Sequence, residues 1–180
     1  MAEMLMDCPR CWGKDAKCGK CGGKGKVADR FLSPNFKLSE LVNSNTARSK
    51  GLSNEPSAEI EFALEDLCKE ALEPIRKIIG PIRINSGYRS DAVNKSVGGS
   101  TTSAHSYGHA ADINPVKVTW KEAMDKIIAA GIELDQLIYE HTWVHVGHVQ
   151  PKTKKKRGDL LTMNNKNGKV TYETYDSEVA

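Results

Sequence analysis

Four of the five cysteines, Cys8, Cys11, Cys18 and Cys21, fall within the first 21 residues as two C-x2-C pairs separated by six residues. This most limits what the start of the chain can become. The surrounding segment, up to about Arg30, is rich in Gly and Lys and poor in large apolar side chains, so it cannot bury a core without a cross-link or a metal. Two such knuckles can aim four thiolates at one Zn²⁺ with tetrahedral geometry. Four ligands leave no open coordination position, so the spacing predicts a structural ion. Two disulfides or a set of free thiols are the alternatives. Residues Met1 to Asp7 show neither a basic stretch nor an apolar one, so no signal peptide is expected. The expected location before any release is cytoplasmic, where thiols stay reduced.

The rest of the chain reads differently: 1–30 is expected to be a four-cysteine zinc knuckle and 31–180 a separate domain. Hydrophobic residues make up 39% of the 180-residue chain, enough for one core. Phe36 to Val42 reads as a short capped helical turn and Asn43 to Pro56 as a polar connection. Ser57 caps a helix whose apolar positions are Ile60, Ala63, Leu64, Leu67, Cys68, Ala71, Leu72 and Ile75, with Pro74 marking a kink or a new start. Cys68 is on the apolar face as a core residue. Strands are expected at Ile82–Asn85, Ala110–Ile113, Gln136–Glu140 and Trp143–Val149, and a second helix from Thr119 to Ala130 with Gly131 as its stop. Asn167-Gly168 between two apolar-polar runs predicts a hairpin. Helices segregated from hairpin-linked strands give an α+β class: a small antiparallel sheet with helices packed on it.

All five histidines lie between positions 105 and 148. Ser103-Ala-His105-Ser-Tyr-Gly-His109-Ala-Ala-Asp112 sets a histidine and an aspartate seven apart, and Trp143-Val-His145-Val-Gly-His148 follows. Two His and one carboxylate can hold a zinc ion with one position left for water. In a strand from Trp143 to Val149, His145 shares a face with Trp143 and Gly147, while His148 shares the opposite face with Val144 and Val146. The valine face should meet the core, so His145 is favoured over His148, the runner-up. His109 and His141 are expected at the surface or behind the ligands.

Several of these motifs occur together. Ser86-Gly-Tyr-Arg89, Asn94 with Val97-Gly-Gly-Ser100, Ser103-x-His105-x-x-Gly108-x-Ala-Ala-Asp112 and Trp143-Val-His145-Val resemble the zinc D-Ala-D-Ala carboxypeptidase family, which includes phage endolysins. The resemblance runs from about Phe36 to about Val149. It implies a carboxypeptidase/hedgehog-like fold, a catalytic zinc held by His105, Asp112 and His145, and an Arg89 that meets a substrate carboxylate or carbonyl. Ser103 is then expected to orient the substrate or the ligands, and Tyr88 to pack. The second knuckle, Cys18-Gly-Lys-Cys-Gly-Gly-Lys-Gly25, resembles the C-x2-C-x-G-x-G unit of the DnaJ-type zinc region.

Many members carry a glutamate three residues before the last zinc histidine, where this chain has Thr142. Glu140 is the nearest carboxylate and the expected general base, with His141 or Asp135 as substitutes. The function implied is a zinc metallopeptidase hydrolysing peptidoglycan stem peptides, as a D-Ala-D-Ala carboxypeptidase or an endolysin-type endopeptidase. It would use one catalytic and one structural zinc and act on the cell wall as a monomer. A non-catalytic zinc-containing binding protein or phage structural protein is the alternative, supported by Thr142. Net charge +3 and 6% aromatic residues argue against nucleic acid as the partner. No apolar stretch is long enough to span a membrane.

Overall fold

The computed structural model describes residues 4–178, so the outermost residues of the expected 1–30 and 31–180 segments lie outside the described part. The knuckle segment is framed by a small hairpin, β1 (Leu5–Asp7) with β2 (Lys26–Ala28), and a second, β3 (Phe31–Ser33) with β4 (Phe36–Lys37), leads into helix α1 (Leu38–Val42). The stretch expected as a plain polar connection contains helix α2 (Asn45–Lys50), capped by Ser44 and stopped at Gly51 in the left-handed region. Its polar sequence gives no apolar stripe, which is why periodicity misses it.

Ser57 caps α3 (Ala58–Leu67) by accepting the Ile60 N–H. The chain then widens into a π-helical turn over Cys68–Leu72 before α4 (Glu73–Ile79), with Pro74 in the first turn. Pro74 has no N–H to give and its ring would crowd the carbonyl four residues back. The wider turn relieves that clash without breaking the helix. Strand β5 (Ile82–Ser86), helix α5 (Asp91–Ser96), a 3-10 turn at Ala104–Tyr107 and β6 (Ala110–Pro115) follow. Helix α6 (Trp120–Ala129) begins at a Thr119/Glu122 capping box, and Gly131 beyond it takes φ +66°.

The last four strands are β7 (Gln136–Tyr139), β8 (Val144–Gly147), β9 (Asp159–Lys166) and β10 (Lys169–Thr174). The six-stranded sheet has the order β10-β9-β7-β8-β6-β5 and is antiparallel except for the parallel pair β7–β9. That exception arises because β8 already occupies one flank of β7, and the basic segment after it carries the chain back to the other flank. Asn167 and Gly168 both have positive φ, as the two-residue turn between β9 and β10 requires.

One face of the sheet packs on the helices. Ala111, Ile113, Leu137, Val144 and Val146 from the strands meet Leu64, Leu67, Cys68, Leu72, Ile75, Met124 and Ile127, all buried. Burial pushes the Cys68 thiol up to about 12, in keeping with a core residue. Met6 of β1 is part of the same cluster and Val27 of β2 packs against it, so the knuckle hairpin is seated on the body.

Candidate metal centres

Alternation along β6 and β8 sends Ala111, Ile113, Val144 and Val146 into the helical core and Asp112 and His145 to the opposite face. Asp112 and His145 are direct cross-strand partners, so the sheet register alone puts their side chains together. His105 arrives from the 3-10 turn that ends at Gly108, whose φ is +73°. His105 Nε2 lies 3.2 Å from Asp112 Oδ1 and 3.2 Å from His145 Nδ1, and His145 Nδ1 lies 2.9 Å from Asp112 Oδ1. All three residues are buried.

The donor set fits a zinc ion. Bonds of about 2.0–2.1 Å in tetrahedral geometry separate the ligand atoms by about 3.3 Å, close to this triangle. His105 Nδ1 is 2.7 Å from the Gly87 carbonyl, which can only accept, so the ring proton sits on Nδ1. Nε2 is then a bare lone pair facing a carboxylate oxygen. Burial holds the His105 pKa below its ordinary value, so protonation does not relieve that contact. A cation does. Burial works to raise the Asp112 pKa, but the neighbouring imidazoles hold it below the ordinary carboxyl value, and the carboxyl stays ionised. Three ligands leave a fourth position open.

Two charged residues stand beside the triangle. Glu140 directly follows β7 and is half-buried; burial first and the Asp112 charge second raise its pKa above the ordinary carboxyl value. His145, Trp143 and Arg89 pull it back in part. A tight turn follows, with His141 at φ +60° and Glu140 N–H on the Trp143 carbonyl at 3.1 Å. This turn leaves Thr142 exposed. Arg89 is half-buried; burial lowers its pKa, the charges of Asp112 and Glu140 oppose that, and its Nε has no hydrogen-bond partner among the described residues.

The other residues singled out in the sequence fall elsewhere. His141 is exposed, its ring set edge-on to Tyr139 and its Nε2 2.8 Å from the Met163 carbonyl. Asp135, a substitute base in the sequence, is fully buried and is occupied by Arg157, which donates to it from its main-chain N–H, Nε and Nη2. His148 lies just past the end of β8 and outside the triangle, its N–H on the His109 carbonyl at 2.8 Å. Lys154 Nζ donates to His109 Nε2 at 2.5 Å, and burial with that charge depresses the His109 pKa to about 4. Ser103 precedes the 3-10 turn without a side-chain cap bond, and Tyr88 is buried in the core.

Two residues near the site carry no sequence signal. Partial desolvation first, and then the Glu140 and Asp112 charges, raise the pKa of Tyr172 on β10, although its side chain stays exposed. Fully buried Asn54 holds the turn that carries Gly87 and Arg89. Gly87 itself is dictated by space: a Cβ there would lie 2.3 Å from the Leu41 carbonyl oxygen.

The cysteines form a second cluster. Cys8 Sγ is 3.9 Å from Cys18 Sγ and Cys11 Sγ is 3.7 Å from Cys21 Sγ, and none of the four is in a disulfide. Zn–S bonds of about 2.3 Å place tetrahedral sulfurs about 3.8 Å apart, so this set can also hold a metal ion. The two knuckles repeat one backbone shape: Trp12 and Gly13 after the first, Gly22 and Gly23 after the second, all with positive φ. At Gly23 the shape is also forced by contact, since a Cβ would meet the Ala16 carbonyl oxygen at 2.2 Å.

Comparison with known proteins bears on the body of the chain. A zinc D-Ala-D-Ala carboxypeptidase from Streptomyces albus G is 40% identical over 81 residues, which is 44% of this chain. The matched stretch covers 31% of that relative's length, so the likeness is partial. No helix among the described residues is long and apolar enough to cross a membrane. The Peptidase M15 profile matches residues 34–147, a span that contains Arg89, His105, Asp112, Glu140 and His145. The chain belongs to the Peptidase M15 family.

Proposed function

We propose that the chain is a zinc-dependent peptidase of peptidoglycan stem peptides, a D-Ala-D-Ala carboxypeptidase or endolysin-type endopeptidase. Residues 31–180 form its catalytic unit and residues 1–30 its structural zinc knuckle. The observation that carries this reading is the triangle of His105 Nε2, Asp112 Oδ1 and His145 Nδ1, beside a half-buried carboxylate and an arginine. A zinc ion in the triangle supplies Lewis-acid polarisation of the scissile carbonyl and makes a water more acidic.

The protein's own groups do the rest. Glu140 takes a proton from the attacking water and returns it to the leaving amine; a carboxyl raised above its ordinary pKa suits both directions of transfer. Arg89, whose Nε has no partner among the described residues, offers planar donors to a substrate carboxylate or the developing oxyanion. Gly87 fixes the His105 ring through its carbonyl, so Nε2 faces the ligand position. Ser103 leads into the turn that carries His105 and is assigned to orienting the substrate or the ligands.

The exposed Thr142 favours the non-catalytic alternative only if nothing replaces the missing glutamate; the half-buried Glu140, whose pKa is raised by burial and by the Asp112 charge, supports a replacement. The test is the purified zinc-loaded chain on purified peptidoglycan, with Glu140→Ala alongside. An enzyme loses turnover and keeps its metal in that variant; a binding protein is indifferent to it.

A further inference from the structure

Asn54 uses its whole amide. It is fully buried; Nδ2 donates to the Val42 carbonyl at 2.8 Å and the Tyr88 carbonyl at 3.0 Å, and Oδ1 accepts the Ser90 N–H at 2.7 Å. Tyr88 and Ser90 flank Arg89, and the residue before Tyr88 is Gly87, whose carbonyl receives the His105 Nδ1–H. The Arg89 N–H in turn donates to the His105 carbonyl at 3.2 Å. One side chain thus pins both ends of the short segment that aims His105 and Arg89.

The main chain around Asn54 is held by the knuckle. The Asn54 N–H donates to the Pro9 carbonyl at 2.7 Å, between Cys8 and Cys11. The Trp12 indole N–H donates to the Leu52 carbonyl at 2.9 Å. Glu55 pairs with Arg10 at 2.5 Å and with Lys20 at 3.1 Å. Leu52, Asn54 and Glu55 are therefore each tied to the cysteine loops.

We propose that Asn54 is a positioning residue that couples the cysteine knuckle to the His105 and Arg89 side of the catalytic centre. The inference rests on the reading of that centre given above. Truncating Asn54 strips partners from two carbonyls and one N–H and loosens the 88–90 segment, which still keeps the Tyr88 N–H on the Leu41 carbonyl at 2.7 Å and Ser90 Oγ on the Ser53 carbonyl at 2.7 Å. Groups that orient a metal ligand alter metal affinity by about 10–100-fold, and Asn54 acts one link behind such a group, so about 10-fold is expected.

The full chain, loaded with zinc at both sites, is compared with Asn54→Ala, Asn54→Asp and Trp12→Phe. Two readouts need no substrate: the rate of zinc loss from the His/Asp/His centre to a chelator, and the low-field NMR signal of the His105 Nδ1 proton. Thermal melting reports folding, and kcat and KM are measured separately. Asn54→Ala is expected to speed zinc loss about 10-fold, to weaken the proton signal through faster exchange and to lower kcat more than it raises KM. Asn54→Asp keeps the acceptor for Ser90 but sets a carboxylate against the Val42 and Tyr88 carbonyls, so it moves the same readouts at least as far, and Trp12→Phe decides the matter if neither Asn54 variant folds. Trp12→Phe, which removes the indole donor to Leu52 and keeps a smaller ring beneath Arg48, moves them in the same direction.

A cooperatively folded Asn54 variant with unchanged zinc loss and proton signal overturns the proposal. A Trp12→Phe protein identical to wild type, beside an altered Asn54→Ala, overturns the coupling to the knuckle. If the wild type cleaves no peptidoglycan, the peptidase reading falls, while the zinc and proton readouts still decide this one.

Discussion

Replacing Gly87 with alanine tests the local geometry of the centre more sharply than removing a ligand. The new Cβ would lie 2.3 Å from the Leu41 carbonyl oxygen and 2.9 Å from the Leu41 Cα and carbonyl carbon, all main-chain atoms that cannot rotate away. Restoring ordinary contact, which begins near 3.4 Å, takes a shift of about 1 Å. The Gly87 carbonyl now sits 2.7 Å from His105 Nδ1, and a shift of that size opens the pair beyond hydrogen-bonding range. Losing a support of this kind weakens metal binding by about 10–100-fold, or about 1.4–2.7 kcal/mol. Overpacking adds about 1–3 kcal/mol of global destabilisation. The assay is zinc competition against a chromogenic chelator, read beside thermal melting. Gly98→Ala is the control: a Cβ there meets nothing within 4 Å although φ is +72°, so it carries backbone strain without contact and should leave zinc affinity unchanged. A folded Gly87→Ala protein that holds zinc as tightly as wild type would refute the reasoning.

Three further outcomes are expected. Glu140→Gln should lower kcat by about 100- to 10,000-fold while zinc content, read by elemental analysis, stays at the wild-type value, and adding Thr142→Glu should not restore it because that position faces solvent. Cys11→Ser should remove one zinc per chain and expose residues 14–24 to limited proteolysis, while hydrogen exchange in β6 and β8 stays slow. Glu73 accepts hydrogen bonds from Ser33 Oγ, Asn35 N and Asn35 Nδ2; burial works to raise its pKa, but those donors outweigh it and hold the carboxyl below 4.5. Its stabilising effect is therefore present above the unfolded value and lost as pH falls through the lowered one, so acid melting curves of wild type and Glu73→Gln should converge at low pH.

Much of the site was legible because it depends on short periods. Alternation in Trp143 to Val149 separated His145 from His148, since a strand facing a helical core must turn its valines one way. Ser57, Thr119 and Asn167-Gly168 act on their immediate neighbours, and each marks the boundary it was expected to mark. What escaped depends on distant partners. Asn54 in isolation is one polar residue in a polar stretch; its importance comes from Val42, Tyr88 and Ser90, which are brought to it by the fold. Tyr172 is similar, lying on a strand whose side chains are all exposed yet near enough to feel Glu140 and Asp112. The path of the chain between Glu140 and Trp143 depends on the turn at His141, a positive φ at a residue whose sequence does not announce it. The parallel pairing of β7 with β9 is likewise a matter of which flank was still free.

The central claim is that the His105, Asp112 and His145 triangle holds the zinc of a peptidoglycan peptidase. Its most direct test is mass analysis of purified peptidoglycan incubated with the zinc-loaded chain, with the metal-free chain and with His145→Ala. The account predicts stem peptides cut at one amide bond, each gaining one water, from the zinc-loaded chain alone. Equal cleavage by the metal-free chain, or intact peptides from a folded chain that carries zinc at both sites, would contradict it.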